Sequence, residues 1–300
     1  MVKLKTVASA LGSLGGLNKA RSEFDDAARK YTDDRAFPPA DIRPVASEAQ
    51  TIAVRITTDD ATTSQGDTFA IIHVAADGDI AAILVLNPAV QVESGLTLAA
   101  LVDEGGWPVF VAIAEEVLGI RIDHIIELTA TALAGVIDEL GSVAVYSRSA
   151  FSAGDATFTE GTNTLDGASA MSFAAAEAVD DAGQTRTRNQ RALLRALVQA
   201  LRQGGLVKDP AKLTTVLGTV SAGVLTDAGL TTVVLGKVAN AIRQIPQDDV
   251  VTVTVPSKSE RLDDGTVQVT LDAEAVPALR QALAGTDLKE FLHYLASLGY

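Results

Sequence analysis

Apolar residues gather in short runs over the first third of the chain. Three such runs, separated by polar turns, read "TIAVRI" (51–56), "FAIIHV" (69–74) and "IAAILVLN" (80–87). Runs of this length with few polar positions are typical of strands that are covered on both faces of a sheet. The pattern therefore predicts three buried strands near the start of a layered domain.

The middle of the chain alternates between helix and strand patterns. "WPVFVAIAEEVLGI" (107–120) has a helical pattern, with Pro108 suited to a first turn and Gly119 to the end. After it, "DHIIEL" predicts a strand, "TATALAGVIDELG" a helix that stops at Gly141, and "SVAVYS" another strand. Alternation of this kind predicts an α/β fold in which helices cover a sheet.

The second half of the chain is mainly helical. Two helices are predicted in "LDGASAMSFAAAEAV" and "RNQRALLRALVQALRQGG". Two more are predicted in "DPAKLTTVLGTVSAGVL" and "TDAGLTTVVLGKVANAIRQI", with start signals at Asp209 and at Thr226 with Asp227. Strands follow in "VVTVTVPS" and "TVQVTLD", on either side of a polar turn, "KSERLDDG", and amphipathic helices close the chain.

A proline-rich segment, "RAFPPADIRP", sets off the N-terminal part of the chain. We expect residues 1–45 to be a helical segment and linker, with one helix running from "MVKLKTVASALGSLGGL" through "LNKARSEFDDAARKY". Residues 46–300 show no internal repeat and no clean linker, so they are predicted to form a single domain. No run approaches the roughly 18 to 20 apolar residues that cross a bilayer.

Charge and composition narrow the classes of partner. The 24 lysines and arginines are outnumbered by 38 aspartates and glutamates, which gives a net charge of −14. A field of this sign repels nucleic-acid phosphates, so nucleic acid is not an expected partner. The chain has no cysteine, which excludes disulfides, thiolate metal sites and cysteine nucleophiles.

Four arginines stand out against this acidic background, because Arg186, Arg188, Arg191 and Arg195 lie within ten positions. On a helical wheel Arg188, Arg191, Arg195 and Arg202 border the apolar face of the predicted helix. In one interpretation they are a solvated flank whose alkyl stems cover the edge of the core. In the other they form an anion site, because guanidinium groups bind phosphate oxygens in pairs.

Several segments between residues 50 and 245 resemble, in the right order, the LytR-CpsA-Psr family of bacterial cell-envelope proteins. They are "GDTFAIIHVAADGDIAAILVLNP", "AEEVLGIRIDHIIELTATALAGVIDELGSVAV", "FTEGTNTLDGASAMSF" and "RNQRALLRALV". The resemblance implies an α-β-α layered fold, with a central mixed β-sheet flanked by helices and an apolar pocket for a polyprenyl lipid. It also implies a pyrophosphate bound at the mouth of that pocket by arginines and Mg²⁺.

The resemblance has implications for location and chemistry as well. Family members are typically anchored on the extracytoplasmic face of the bacterial membrane, so the native protein is expected to have an anchor that this chain lacks. They transfer a glycopolymer from its lipid carrier to peptidoglycan or another wall acceptor. In that reaction a sugar hydroxyl displaces a prenyl phosphate, and the barrier falls mainly through charge neutralisation and positioning.

The sequence departs from the family at its cationic positions. The family's hairpin arginine corresponds to Ala89, and its second basic pair corresponds to Ala175 and Glu177. The resemblance implies that two ligand-binding arginines remain in this sequence. They are Arg188, at the start of the long helix, and Arg186 in the preceding loop.

Two acidic positions of the family are retained. Asp67 corresponds to its metal-binding aspartate, and Asp59 or Asp60 to an acidic residue of the first loop. A structural interpretation also fits Asp67, since an aspartate in a turn before a strand needs no ligand. His124 is expected to be structural, and His73 and His293 have no partner at catalytic spacing.

These departures leave two hypotheses about function. Loss of one preorganised cation costs on the order of 10²- to 10³-fold in rate. The first hypothesis is therefore a catalytically degenerate member that binds a polyprenyl (pyro)phosphate-type lipid or a cell-wall assembly protein. The alternative is an active, magnesium-dependent phosphotransferase with a cationic site rebuilt from Arg186, Arg188, Arg191 or Arg55. Because Arg55 lies on a predicted buried strand, it needs an anionic partner, for which Asp67 is the nearest candidate.

Overall fold

The structure, a computed structural model, describes residues 18–300 apart from 20, 27, 60–61, 93–94, 179–180, 204–208 and 222. Its strands are Arg29–Tyr31 (β1), Gln50–Thr57 (β2), Thr68–Val74 (β3), Ala81–Leu86 (β4), Val90–Gln91 (β5), His124–Thr129 (β6), Val143–Ser147 (β7), Phe151–Ala153 (β8), Ala156–Phe158 (β9), Gly161–Leu165 (β10), Val224–Asp227 (β11), Val250–Thr254 (β12), Ser257–Arg261 (β13) and Val267–Leu271 (β14). Its helices are Asp33–Ala36 (α1), Leu98–Leu118 (α2), Ala130–Leu140 (α3), Gly167–Ala175 (α4), Gln184–Gln203 (α5), Pro210–Ser221 (α6), Thr232–Gln244 (α7), Ala275–Ala284 (α8) and Leu288–Ser297 (α9).

A mixed central sheet organises the molecule, with seven strands in the order β1-β11-β6-β2-β3-β4-β12. The pairs β1/β11, β6/β2 and β4/β12 are parallel, and the other neighbours are antiparallel. In the middle of the sheet Ile71 of β3 pairs with Ala53 of β2 and with Leu84 of β4. The three strands that the apolar runs predicted are therefore adjacent at its centre.

Helices cover both faces of this sheet, because alternate residues of β2, β3 and β4 point into two different cores. Ala53, Ile71 and Leu84 face a core that α2, α8 and α9 complete. Val54 and Ile83 face a second core formed with α3, α4, α5 and α7. The predicted α-β-α layering is confirmed, and burial on both faces explains why these strands read as continuous apolar runs.

Helix α2 begins earlier than its sequence pattern indicated. It starts at Leu98 and is broken at Gly106, which has φ 64°. Pro108 lies in the first turn after this break, and Gly119 ends the helix with φ 69°, as the pattern predicted. The left-handed conformation at both glycines explains the residue type there.

The predicted helix start at Thr226 and Asp227 is wrong. Both residues belong to strand β11, and α7 starts later, with Thr231 as its N-cap. The carboxylate of Asp227 accepts hydrogen bonds from the backbone N–H groups of Ile125, Gly229 and Leu230. Asp227 therefore joins β6 to the loop after β11. In the sequence, an aspartate with this role cannot be distinguished from one that caps a helix.

The predicted polar turn "KSERLDDG" is partly a strand. Ser257–Arg261 forms β13, which pairs with β14, so the turn shrinks to the residues after it, where the Leu262 N–H donates to the Thr266 carbonyl. Strand β12, which the sequence analysis placed just before the turn, pairs with β4 in the central sheet. The side chains of β13 are mostly exposed, so no apolar pattern marked it as a strand.

The N-terminal helix is also shorter than predicted. Residues 21–26 are helical, but Arg29–Tyr31 forms β1 and extends the central sheet beside β11. The first seventeen residues of the predicted helix lie outside the described part of the chain.

Candidate functional site

Arg55 and Asp67 form a buried ion pair at the end of β2 and the entry to β3. The Arg55 Nε and Nη2 atoms both lie 2.7 Å from Asp67 Oδ2. The other carboxylate oxygen, Oδ1, accepts the Thr58 N–H at 2.9 Å. The pairing predicted for Arg55 is confirmed, and both oxygens of Asp67 have partners.

The ion pair continues into a partly buried polar network against α2. Arg55 Nη2 donates to Ser64 Oγ at 2.6 Å, and Ser64 donates in turn to Asp103 Oδ1. On the other side, Arg55 Nη1 lies 3.9 Å from Glu127 Oε2, which accepts the Trp107 Nε1–H at 2.9 Å. Arg55 thus occupies the centre of a group of three carboxylates.

This environment does not fit a magnesium site at Asp67. Mg²⁺ needs near-octahedral oxygen ligands and access for its waters. The Asp67 side chain is 2% exposed, and Arg55 and the Thr58 N–H occupy its oxygens. Within the described ranges, no group of three or more His, Cys, Asp or Glu residues could hold a metal. The guanidinium of Arg55 is the cation that lies beside Asp67, the residue for which the resemblance implied a metal.

Helix α5 holds the turn before β3 through Arg186 and Gln190. Arg186 Nη1 donates to the Gln65 carbonyl at 2.8 Å, and Nη2 forms an ion pair with Glu177. Gln190 Nε2 donates to the Gly66 carbonyl at 3.2 Å. Glu177, at a position where the resemblance implied a basic residue, therefore neutralises Arg186, the arginine that binds the turn before Asp67.

Two buried polar atoms in this region have no hydrogen-bond partner among the described residues, namely Arg186 Nε and Gln190 Oε1. A buried donor or acceptor without a partner costs about 1 to 3 kcal/mol, so such atoms usually contact water or a ligand. They place one free donor and one free acceptor on neighbouring turns of α5.

An apolar pocket that Gln190 lines opens between α4, α5 and the end of β2. Its volume is about 210 Å³, and we call it the α4–α5 pocket. Its apolar lining is Ile56, Leu133, Met171, Ala174, Leu193 and Leu194. The wall also includes the small side chain of Ala175 and the polar side chains of Asp59 and Gln190. Ligand sites usually measure roughly 300 to 1,000 Å³, so a long lipid chain requires this pocket to widen.

The candidate residues from the sequence do not all converge on this pocket. Ala175 lines it, while Asp67, Arg186 and Glu177 surround the adjoining turn. Ala89 lies elsewhere, next to Asn87, whose Oδ1 accepts the Ala89 N–H at 2.9 Å.

Arg188 lies on the opposite flank of α5 from Gln190. It lines a groove together with Arg148 and Arg191. Arg148 was not singled out in the sequence, because a lone arginine after a strand carries no local signal. The arginines proposed for a rebuilt cationic site are therefore divided, with Arg55 and Arg186 near Asp67 and Arg188 and Arg191 in the groove.

Asp59 is engaged by the start of α3. Its Oδ2 accepts the Thr131 N–H at 3.0 Å and the Thr131 hydroxyl at 2.5 Å. The alternative candidate, Asp60, lies outside the described residues.

The histidines have structural roles. His124 Nδ1 lies 3.1 Å from Asp227 Oδ1, at the junction of β6 and β11, as expected for a structural residue. Burial lowers the pKa of His73 to about 4, and its Nδ1 lies 2.9 Å from Thr51 Oγ1. His293 Nε2 lies 3.2 Å from the carboxylate of Asp249.

Comparison with known proteins decides the family. The sequence model of the LytR_cpsA_psr family matches residues 81–284, which is more than half of the chain. The chain belongs to the LytR-CpsA-Psr family. Proteins of this family are extracytoplasmic components of the cell envelope and act in cell-wall assembly.

Solved structures share the fold of this LytR-CpsA-Psr domain. B. subtilis TagV is 19% identical with a TM-score of 0.66, over 83% of this chain and 99% of that chain. An Actinomyces oris LytR-Csp2A-Psr enzyme is 18% identical with a TM-score of 0.64, over 85% and 96%. TagT bound to LIIa-WTA is 17% identical with a TM-score of 0.62, over 82% and 91%. Among curated proteins, none matches the sequence significantly.

The described helices include none that is both long and apolar enough to span a membrane.

Proposed function

We propose that this LytR-CpsA-Psr domain binds a polyprenyl phosphate-type lipid at the extracytoplasmic face of the membrane, and does not catalyse glycopolymer transfer. The observation that carries the proposal is the engagement of Asp67. Its carboxylate is buried, and its two oxygens are bound by Arg55 and by the Thr58 N–H. A phosphotransferase of this kind needs a carboxylate that is free to hold the metal next to the pyrophosphate.

The charges around the pocket support the same conclusion. Ala175 in the pocket wall carries no cation, and Glu177 neutralises Arg186. Transfer of a phosphoryl group requires cations that offset the charge developing on its oxygens. Without them, a bound lipid is retained instead of turned over.

The α4–α5 pocket supports the binding part of the proposal. Its wall is largely aliphatic, which suits a prenyl chain, because burying apolar area contributes about 25 cal/mol per Å². Gln190 lines the pocket, and its Oε1 has no hydrogen-bond partner among the described residues. A protonated phosphate head group can donate to this oxygen, whereas a fully apolar ligand would leave it unpaired.

The binding site is tested by filling the pocket. Ala174→Phe places a ring among the lining side chains of α4, whereas Ala168→Phe lies on the exposed face of the same helix and is the matched control. Retention of a short-chain polyprenyl phosphate is measured by native mass spectrometry. We expect the wild type and Ala168→Phe to retain the lipid. Ala174→Phe should bind the lipid at least about tenfold more weakly, because the ring occupies the pocket and less of the lipid's apolar surface can be buried there. Equal binding by both variants, or no binding by the wild type, contradicts the proposal.

A further inference from the structure

Strand β12 forms one edge of the central sheet, and alternate backbone groups along it have no strand partner. Among the described strands it pairs with β4 alone, with Thr252 opposite Ile83. The Val255 N–H donates to the Val85 carbonyl at 2.8 Å, so Val255 and every second residue before it direct their backbone groups at β4. The backbone groups of Thr252 and Thr254 therefore point outwards, where they meet no partner among the described residues.

A groove runs along this outer edge, between helix α5 and the C-terminal residues 293–300. One cavity of about 310 Å³ is lined by Val250, Val251 and Thr252, together with residues of α5 and α9. Because neighbouring side chains of a strand point to opposite faces, three consecutive lining residues show that the backbone forms part of the wall. Cavities of about 600 and 220 Å³ continue the groove, the larger lined by Thr252 and the smaller by Thr254. We call the three cavities together the β12 groove.

An open strand edge beside a groove is suited to the addition of a strand from another chain. Its free N–H and C=O groups form a template for an extended segment, and natural proteins commonly block such edges with lysine or proline. Strand β12 has neither residue, since it reads "VVTVT" and Pro256 comes after its end. At about 3.3 Å per residue the edge spans about 17 Å, which can accommodate a segment of about five residues.

The walls of the β12 groove determine the charge of such a segment. Arg148, Arg191 and Arg195 line it and form no ion pair among the described residues, whereas Asp248 contributes a carboxylate. Helix α5 covers one face of the sheet at this edge, and α9 covers the other. An added strand therefore directs every second side chain towards the arginines of α5, and the others towards α9, where Ala296 lines the groove.

We propose that the β12 groove binds an extended acidic segment of a partner protein, which adds to the central sheet as a strand beside β12. The backbone groups of Thr252 and Thr254 pair with the segment, and carboxylates at every second position meet Arg191 and Arg195. The groove is separate from the α4–α5 pocket, which Leu194 faces from another side of α5. The proposal goes beyond lipid binding and does not depend on it.

The probe is a fluorescently labelled, capped peptide of about ten residues in which glutamate alternates with valine, titrated with the full chain. One N-methylated form carries its methyl groups on the glutamates and another on the valines, so only one form has lost the N–H groups that face β12. We expect the unmodified peptide to bind, and one methylated form to bind at least about tenfold more weakly than the other. A peptide with lysine in place of glutamate should not bind measurably, because the arginines repel it.

Protein variants locate the site. Thr252→Pro removes an N–H that faces the groove, at an edge position where proline leaves the ladder with β4 intact, and Thr252→Val keeps this N–H as the matched control. Arg195→Gln removes a charge of the groove, and Arg243→Gln removes an exposed arginine of α7 as its control. We expect Thr252→Pro to weaken peptide binding at least about tenfold, and Arg195→Gln to weaken it by about two- to fivefold. Both control variants should bind as the wild type does.

Several outcomes overturn the proposal. Absence of binding by the wild type, or unchanged binding by a folded Thr252→Pro variant, would show that the peptide does not occupy the groove. Equal binding of the two N-methylated forms would exclude pairing as a strand, and equal binding of the lysine peptide would exclude selection by the arginines. Circular dichroism checks the fold of each variant, and the methylated peptides test strand pairing on the wild type even if Thr252→Pro does not fold.

Discussion

At the residue scale, Arg55 shows how a charge on a buried strand determines its surroundings. It is flanked by apolar positions of β2, and its guanidinium is held by Asp67, Ser64 and Glu127. The pairing with Asp67 could be predicted, because an arginine on such a strand needs an anion. The contributions of Ser64 and Glu127 could not, since they depend on the conformation of the turn before β3 and on the pairing of β6 with β2. Arg148 escaped prediction for the same reason, because its partners in the groove lie far along the chain.

Removing the Arg55 charge is expected to destabilise the fold strongly. In Arg55→Met the Asp67 carboxylate stays buried without its cation, which costs about 3 to 5 kcal/mol in the free energy of unfolding. Urea denaturation followed by circular dichroism measures this loss. The control is Arg55→Met with Asp67→Asn, which also removes the stranded charge and should recover part of the stability. A loss below about 1 kcal/mol in the single variant would show that the pair does not organise this region.

At the scale of the elements, apolar periodicity identified the strands that are buried on both faces and the helices that bury one face. Strands β2, β3 and β4 and helices α3 and α5 occur where the pattern predicted them. The elements that it missed are short or exposed. Strand β11 has four residues and carries Asp227, whose capping-like contacts imitate a helix start, and β13 is polar throughout. These elements are specified by strand pairing, which local sequence does not report.

The close contact of α3 and α4 depends on Gly167. A Cβ atom at this position would lie 2.7 Å from the carbonyl carbon of Ala134, in the backbone of α3. Gly167→Ala is therefore expected to lower the free energy of unfolding by about 1 to 3 kcal/mol. Gly236→Ala in α7 meets no atom within 4 Å and serves as the control, expected to raise stability by up to about 1 kcal/mol. Equal effects of the two variants in thermal unfolding would contradict the tight packing of α3 on α4.

At the scale of the whole molecule, the family fold is retained, and the proposed loss of catalysis rests on how the charges near Asp67 are paired. The α-β-α framework and the turn before β3 remain, but Arg55 neutralises Asp67 and Glu177 neutralises Arg186. Arg188 and Arg191 face a separate groove. The replacement of family cations by Ala89, Ala175 and Glu177 is implied by the resemblance alone, and it stays a prediction. The direction in which the remaining arginines point follows from the rotation of α5, which only the assembled structure defines.

The central claim is that this domain retains a lipid and does not turn it over. The resemblance implies that three cations are replaced, at Ala89, Ala175 and Glu177. The loss of any two, each worth about 10²- to 10³-fold, would reduce the rate by roughly 10⁴- to 10⁶-fold if their effects are independent. The most direct measurement is the release of phosphate from a polyprenyl pyrophosphate in the presence of Mg²⁺, for the wild type and for Asp67→Ala. We predict release no faster than in the protein-free control, with the lipid retained by the wild type. Release by the wild type that Asp67→Ala abolishes would contradict the claim and show that the active site is intact.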